Sequence, residues 1–388
     1  MCKHKRLLGA VVCIVFFLSI PLIAEVFASD EYGYSIDFPE GFSIIDSTGT
    51  EGYFFSHQSF PLSAVLRIYS DERYKDVKTA SLDSLKKLGA SADTNTFQWR
   101  NTECALSYYT MPMESSVYAG WAVSCFLPSG RGLFFFMMYT PQDQYEIYNK
   151  CIISSMDSIC IDRGSFFESG PVTSFAYPAE GKKTVQLFIA GLTIPVTVDA
   201  TDSEAGEFVV EREFNVLKLY GGTEFQESAR QRYYQQIYRD SYGRLKKAAF
   251  EISGALEPKA AEENPSSPEA YIASSLLTWV QGFPYERNFS KSDFTHPVSA
   301  LLGEGSDCDS RSMLAVILLR QMNIKSQLFI STVFSHSVFG SDVSGKGARL
   351  DFEGTAYLLG ETTAKVDIGL IAREMSDSTK WFAIPLAE

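Results

Sequence analysis

The sequence predicts an α+β protein built in more than one unit, and three observations carry that prediction. Alternating strand-like stretches cluster between residues 34 and 139, with helical spacing appearing beside them as separate segments. The 388 residues exceed the ~100–200 of a single domain. A composition of 45% hydrophobic, 21% charged and 14% aromatic residues belongs to a folded globular chain, not to a disordered, collagenous or disulfide-dense one. The net charge of -13 argues against sequence-independent binding to nucleic acid, because few cations are available to displace counterions from phosphates.

Taken in order, the first element is a targeting segment. Lys3, Lys5 and Arg6 precede an apolar run over residues 7–23, and Val26-Phe27-Ala28 ends it in small residues. This is the layout of a secretory signal peptide cleaved after Ala28, residues 1–28. An uncleaved membrane anchor is the alternative for the same run. Cleavage removes three cations and Glu25, taking the charge from -13 to about -15 and leaving an exported, soluble chain in the periplasm or outside the cell. Five cysteines remain: Cys104, Cys125, Cys151, Cys160 and Cys308. Export permits disulfides among the first four, and Cys104 falls opposite Cys125 if residues 99–127 form a hairpin. Four buried unbridged thiols are the other arrangement.

The first unit spans residues 29–161. Strands are expected at 34–38, 64–70, 105–111, 118–127 and 133–139. A short helix carries Leu82, Leu85 and Leu88 and stops at Gly89, and a last one places Tyr145, Tyr148, Ile152, Met156 and Ile159 three and four apart. The result is an antiparallel sheet backed by helices. Its opening Tyr34-Ser-Ile-Asp-Phe-Pro-Glu-Gly-Phe42 strand and closing helix resemble the PsbP-like fold. That resemblance implies a binding or adaptor module. His57 stands without a recognisable partner and is read as a surface residue.

Residues 162–180 have linker composition. The region 181–262 holds a hairpin turning at Gly191, further strands at 207–220 and a long polar helix at 229–256 whose charges read as a solvated face. A second linker is expected at 257–268. The last unit, 263–388, opens with a helix whose Ser266 and Glu269 have capping-box spacing.

This last unit carries the candidate chemistry. Gly305-Ser-Asp-Cys308 leads into an apolar run at 313–319 that reads as a buried helix ending at Asn323. A thiol at a helix start is placed where unpaired N–H groups and the dipole favour the thiolate and can hold an oxyanion. His336 follows one expected strand (327–334) and Glu361 another (355–359), giving a nucleophile, a base and a group to orient the base. Gln281 is a candidate oxyanion donor. Asp307 and Asp309 fall short of the ~6–8 oxygens of a calcium site and shape the turn. No cysteine–histidine spacing suggests zinc, and no cofactor is expected.

The order Ser306-Asp307-Cys308-Asp309, then His336, then Glu361-Thr362-Thr363 resembles the transglutaminase-like superfamily, as does the upstream Trp279-Val-Gln-Gly-Phe-Pro-Tyr285. Ser306 stands where a Gly is usual, Glu361 replaces an Asp, and Ser-Val-Phe-Gly follows His336. The resemblance implies a papain-type α+β domain. It also implies an exported cysteine enzyme acting on amide bonds through an acyl-thioester on Cys308. His336 would be the base and Glu361 its orienting group, with hydrolysis of a protein or peptide substrate favoured over crosslinking. The alternative is a noncatalytic envelope adaptor whose transglutaminase-like domain has lost its chemistry.

Overall fold

Short alternating runs joined by tight turns pair most readily with their sequence neighbours. The computed structural model describes residues 26–70, 73–286 and 292–388, and it shows this pairing. Strands β1 (Phe27–Ser29) and β2 (Tyr34–Ile36) form a small hairpin. The bond after Ala28, the expected cleavage point, lies within β1, whereas the apolar run at 7–23 lies outside the described residues. Next come β3 (Phe42–Thr48), β4 (Gly52–His57), β5 (Ser63–Tyr69), helix α1 (Val77–Lys87), β6 (Ser91–Trp99), β7 (Thr102–Met113), β8 (Ser116–Phe126), β9 (Leu133–Pro141) and helix α2 (Tyr145–Asp157).

The seven strands β3 to β9 make one antiparallel sheet in the order β3-β4-β5-β9-β8-β7-β6. Its central strand β9 is apolar from Leu133 to Met138 because both faces are covered. Leu133, Phe135 and Met137 pack with Val77, Ala80 and Leu85 of α1, whereas Phe134, Phe136 and Met138 pack with Ile152 and Met156 of α2. Cys104 does stand opposite Cys125 across β7 and β8, and both are buried free thiols. His57 is not a surface residue. It is 5% exposed, its Nδ1 accepts the N–H groups of Ser59 and Phe60, and its ring stacks on Phe60. Burial pushes its pKa down to about 4, so it is a neutral turn-builder at pH 7.

The segment expected as a linker is packed. Helix α3 (Pro171–Ala176) starts where the Asp157 carboxylate accepts the N–H groups of Val172 (2.7 Å) and Thr173 (3.0 Å), and Pro171, Val172 and Thr173 are buried. Strands β10 (Lys182–Ile189) and β11 (Leu192–Asp199) form the expected hairpin. Its two-residue turn uses positive φ at both Ala190 (51°) and Gly191 (78°), which matches the right-handed twist of the strands.

Residues 207–220 are helical, not extended. They belong to α4 (Asp202–Leu219), where Ala205, Val209, Val210, Glu213 and Val216 are buried at helical spacing. The β-branched and aromatic residues suggest a strand, but the buried positions follow a 3.6-residue period and tertiary packing decides. Helix α5 (Gln226–Glu263) is 38 residues long and runs through the second expected linker. Pro258 is exposed within it, while Leu256 and Ala260 are buried one turn apart and hold the helix to the core. Three of its arginines are not on a solvated face: Arg232 and Arg239 are buried, and the Arg244 side chain is 9% exposed. Their partners come from distant segments, among them Asp37, Glu213, Asp202 and the carbonyls of Ser158 and Phe166.

The chain continues as α6 (Pro268–Val280), α7 (Pro297–Leu301), α8 (Cys308–Gln321), β12 (Ser326–Ser331), β13 (His336–Ser341), β14 (Arg349–Phe352), β15 (Thr355–Gly360) and β16 (Phe382–Ala383). The expected capping box at α6 is not formed. Ser267 occupies the cap, and the Ser266 hydroxyl turns back to Asn264. The last five strands make a second antiparallel sheet, β14-β15-β13-β12-β16. Helix α8 packs on its β12 and β13 strands, with every side chain from Met313 to Leu319 fully buried and Asn323 in the left-handed conformation (φ 59°) beyond its end. The fold is α+β throughout. Among the described residues no helix is long and apolar enough to cross a membrane.

One buried acid makes stability depend on pH. Glu40 is 2% exposed, one carboxyl oxygen has no hydrogen-bond partner, and burial pushes its pKa from 4.5 up to about 7 despite Arg232 nearby. The folded state keeps this proton where the unfolded chain releases it, so stability falls as pH rises from about 4.5 to 7. Glu40→Gln removes that slope. Its effect on the unfolding free energy is expected to be more favourable at pH 8 than at pH 5 by roughly 3 kcal/mol in urea titrations. An effect of equal size at both pH values would contradict this origin.

Candidate active site

The site is organised by the start of α8. Asp307 caps the helix, its Oδ1 accepting the Ser310 N–H at 2.8 Å, and this fixes Cys308 as the first helical residue. The turn before it is tied down through Ser306, whose hydroxyl donates to the Pro284 carbonyl and accepts from Arg311 Nε, both at 2.8 Å. The Ser306 side chain is thus used to build the turn.

Arg311 is one turn beyond Cys308 and 2% exposed. Besides Ser306 it donates to the carbonyls of Thr362 (2.9 Å) and Phe283 (2.7 Å), and its guanidinium lies 5.2 Å from the centre of the Tyr285 ring. One planar cation thus joins the cysteine turn, the 361–363 segment and the loop after α6. Nothing in its spacing from Cys308 identifies it beforehand, except that it is a charged residue entering an otherwise apolar helix.

The thiol does not have the lowered pKa expected of a helix start. Burial pushes it up, and the neighbouring carboxylates of Asp309 and Asp307 push it further. The sulfur is 3.8 Å from Asp309 Oδ1, which the S–H faces. These acids are themselves raised by burial, Asp307 to about 8 with help from Asp309, and Tyr234 donates to Asp309 Oδ2 at 2.9 Å. In the opposite sense, Ser337 presents its hydroxyl and backbone N–H to the sulfur and favours its ionised form. Ser337 Oγ is buried and also favours the ionised form of Asp309, so the sulfur and that carboxylate share one hydroxyl.

His336 begins β13, and Glu361 follows the last residue of β15, the strand beside it. The two side chains meet: His336 Nε2 and Glu361 Oε2 are 2.7 Å apart. The other carboxylate oxygen accepts the N–H (2.8 Å) and hydroxyl (2.7 Å) of Thr363. Burial alone would raise Glu361, but His336 and Thr363 outweigh it and hold the carboxyl below its ordinary range. The Trp381 ring lies 6.3 Å from the imidazole and walls it on the side of β16, a residue with no prior signal in the sequence.

Of the four candidate residues, the structure therefore joins His336 to Glu361 directly and sets Cys308 beside Ser337, the residue after His336. Among the described residues the thiol's hydrogen bond goes to Asp309 and not to the imidazole. Gln281 is committed elsewhere. Its amide nitrogen donates to the carbonyls of Glu361 (2.8 Å) and Val366 (2.9 Å), so both N–H groups are used and it clamps the Glu361 segment to the end of α6. With Nε2 engaged by Glu361, Nδ1 is the imidazole nitrogen that can take a proton. Among the described residues no group of three or more His, Cys, Asp or Glu side chains is arranged to hold a metal ion.

No family model matches the sequence, and no curated protein matches it. Solved structures similar to parts of it include the cyanobacterial PsbP (CyanoP) of Synechocystis sp. PCC 6803, at 12% identity and TM-score 0.31 over 40% of this chain and 98% of that one. The Ran-binding protein Mog1p of Saccharomyces cerevisiae is similar at 10% identity and TM-score 0.29, over 36% of this chain and 96% of the other. A protein from Bacteroides thetaiotaomicron VPI-5482 covers 63% of this chain and 81% of its own, at 11% identity and TM-score 0.27. Likenesses at this distance assign no family.

Proposed function

We propose that the chain is an exported, transglutaminase-like cysteine enzyme that hydrolyses amide bonds in a protein or peptide, with a PsbP-like N-terminal module that binds a partner. Cys308 transfers its proton to His336 Nδ1, and its sulfur attacks the substrate carbonyl. The protonated imidazole, held by Glu361, returns the proton to the leaving amine, and water then splits the acyl-thioester. The observation that carries the reading is the 2.7 Å His336–Glu361 pair, its carboxylate fixed by Thr363, in the same site as a helix-start cysteine. The resting thiol is protonated, so ionisation accompanies substrate entry. Ser337 and the N–H groups opening α8 are the donors that meet the resulting charge.

The test is to incubate the full chain with a mixture of blocked peptides and hydroxylamine, which intercepts an acyl-thioester as a hydroxamate. Hydroxamates are expected from the native protein and not from Cys308→Ala or His336→Gln. A native protein that yields none, and no acyl adduct by intact mass, is not this enzyme. The second reading is the noncatalytic adaptor, and the raised thiol pKa together with the Cys308–Asp309 contact favours it. For an adaptor, neither substitution changes partner binding.

A further inference from the structure

A groove of about 850 Å³ runs between the end of β10 with its turn on one side and α6 on the other, closed below by residues 301–303. None of its lining residues is charged, in a chain where 21% of residues are. Its walls are aromatic and hydroxylated: Phe188, which is 69% exposed, lines it together with Tyr271, Trp279 and Phe283, and Ser274 and Thr278 add hydroxyls from α6. Trp279 and Phe283 pack edge to face at 4.8 Å. An exposed phenylalanine beside further aromatic rings has no apolar cover of its own.

Two features say what fits there. The strand β10 pairs with β11 along one edge, and its other edge has no strand partner among the described residues. Lys182 and Lys183 sit at the far end of the strand, and the half facing the groove carries no charge to repel an added strand. The groove also leads to the candidate site. Phe283 is both a lining residue and the acceptor of Arg311, and Gln281, beside Gly282 in the wall, holds the Glu361 carbonyl.

We propose that this groove binds an extended peptide segment with uncharged, apolar or aromatic side chains. The peptide adds to the free edge of β10 and feeds its carbonyl past Phe283 toward Cys308. The groove as a peptide site stands on its own features, and its role as the acyl-donor subsite rests on the reading above. A charged side chain has no partner in this lining and loses its hydration on entry.

Binding is measured by calorimetry on the full-length Cys308→Ala protein, which cannot turn substrate over. The probe is the blocked peptide acetyl-Ala-Phe-Val-Leu-Ala-amide, compared with versions carrying Lys or Glu in place of Val. The uncharged peptide is expected to bind at least about tenfold more tightly than either charged version. Phe188→Asp and Thr278→Glu, both at exposed positions, are each expected to weaken it at least about tenfold. Equal affinity for charged and uncharged peptides, or no effect of either substitution, overturns the proposal. So does binding of cellotriose in place of the peptide. Peptide binding without hydroxamate formation by the native protein defeats the enzyme reading and leaves the groove. Hydroxamate formation indifferent to Phe188→Asp defeats the groove and leaves the enzyme.

Discussion

Glu213→Gln is expected to destabilise the protein by about 3–5 kcal/mol, the cost of breaking a buried ion pair on one side only. Glu213 is 1% exposed and stands between two arginines that are each under 5% exposed. Its Oε1 accepts Arg212 Nε at 2.7 Å, and its Oε2 accepts Arg232 Nη1 and the Ser154 hydroxyl, each at 3.0 Å. Arg212 also pairs with Asp157, and Arg232 with Asp37 (3.3 Å) and its carbonyl (2.8 Å). The amide of Gln keeps the shape but removes the charge that both guanidiniums share, and its NH₂ points a donor at a donor. These residues come from the β2–β3 connection, α2, α4 and α5, so the network is the joint between the N-terminal sheet and the helical layer. Urea unfolding should move to lower concentration once the joint is weakened. A change below about 1 kcal/mol would show that solvent or rearrangement replaces the lost charge.

Arg311→Lys is expected to reduce turnover roughly 100-fold, the penalty typical of a small displacement of reacting groups. Lysine keeps the charge, but an ammonium on a flexible stem cannot reach the Ser306 hydroxyl and the carbonyls of Thr362 and Phe283 in three directions at once. The cysteine turn and the Glu361 segment then lose their common tie. Arg311 touches no reacting atom in this scheme and acts as a positioning residue. The hydroxamate assay should therefore show a fall in kcat larger than any rise in KM, together with a stability loss of about 3 kcal/mol from the unpaired acceptors. Full activity in Arg311→Lys would mean that packing alone holds the three segments.

Much of this architecture was legible because it depends on local rules. The start of α8 follows from a Gly-Ser-Asp turn running into seven consecutive apolar residues, and its end from Asn323 in a left-handed conformation. The opposition of Cys104 and Cys125 follows from hairpin register. His336 and Glu361 could be placed because each adjoins a short strand. What escaped depends on partners far away in sequence. The arginines of α5 look solvated until Asp37, 195 residues earlier, meets Arg232. Gln281 looks available until two carbonyls take its amide. The thiol's raised pKa reverses the helix-start expectation because burial and two carboxylates outweigh the dipole. The helix α4 was hidden by β-branched residues whose burial pattern becomes visible only after folding.

Helix α5 serves as a common beam. At Arg232 it grips the N-terminal sheet unit through Asp37, and two residues on, at Tyr234, it holds the carboxylate beside Cys308. Dividing the gene within residues 162–180 would therefore not yield two independent products. The downstream piece would carry bare guanidiniums where Asp37 and the Ser158 carbonyl used to sit, and the upstream piece would lose Val216, Tyr220 and Ala229 from its core. Any shuffling of this chain in evolution or in the laboratory has to move the beam with both of its loads.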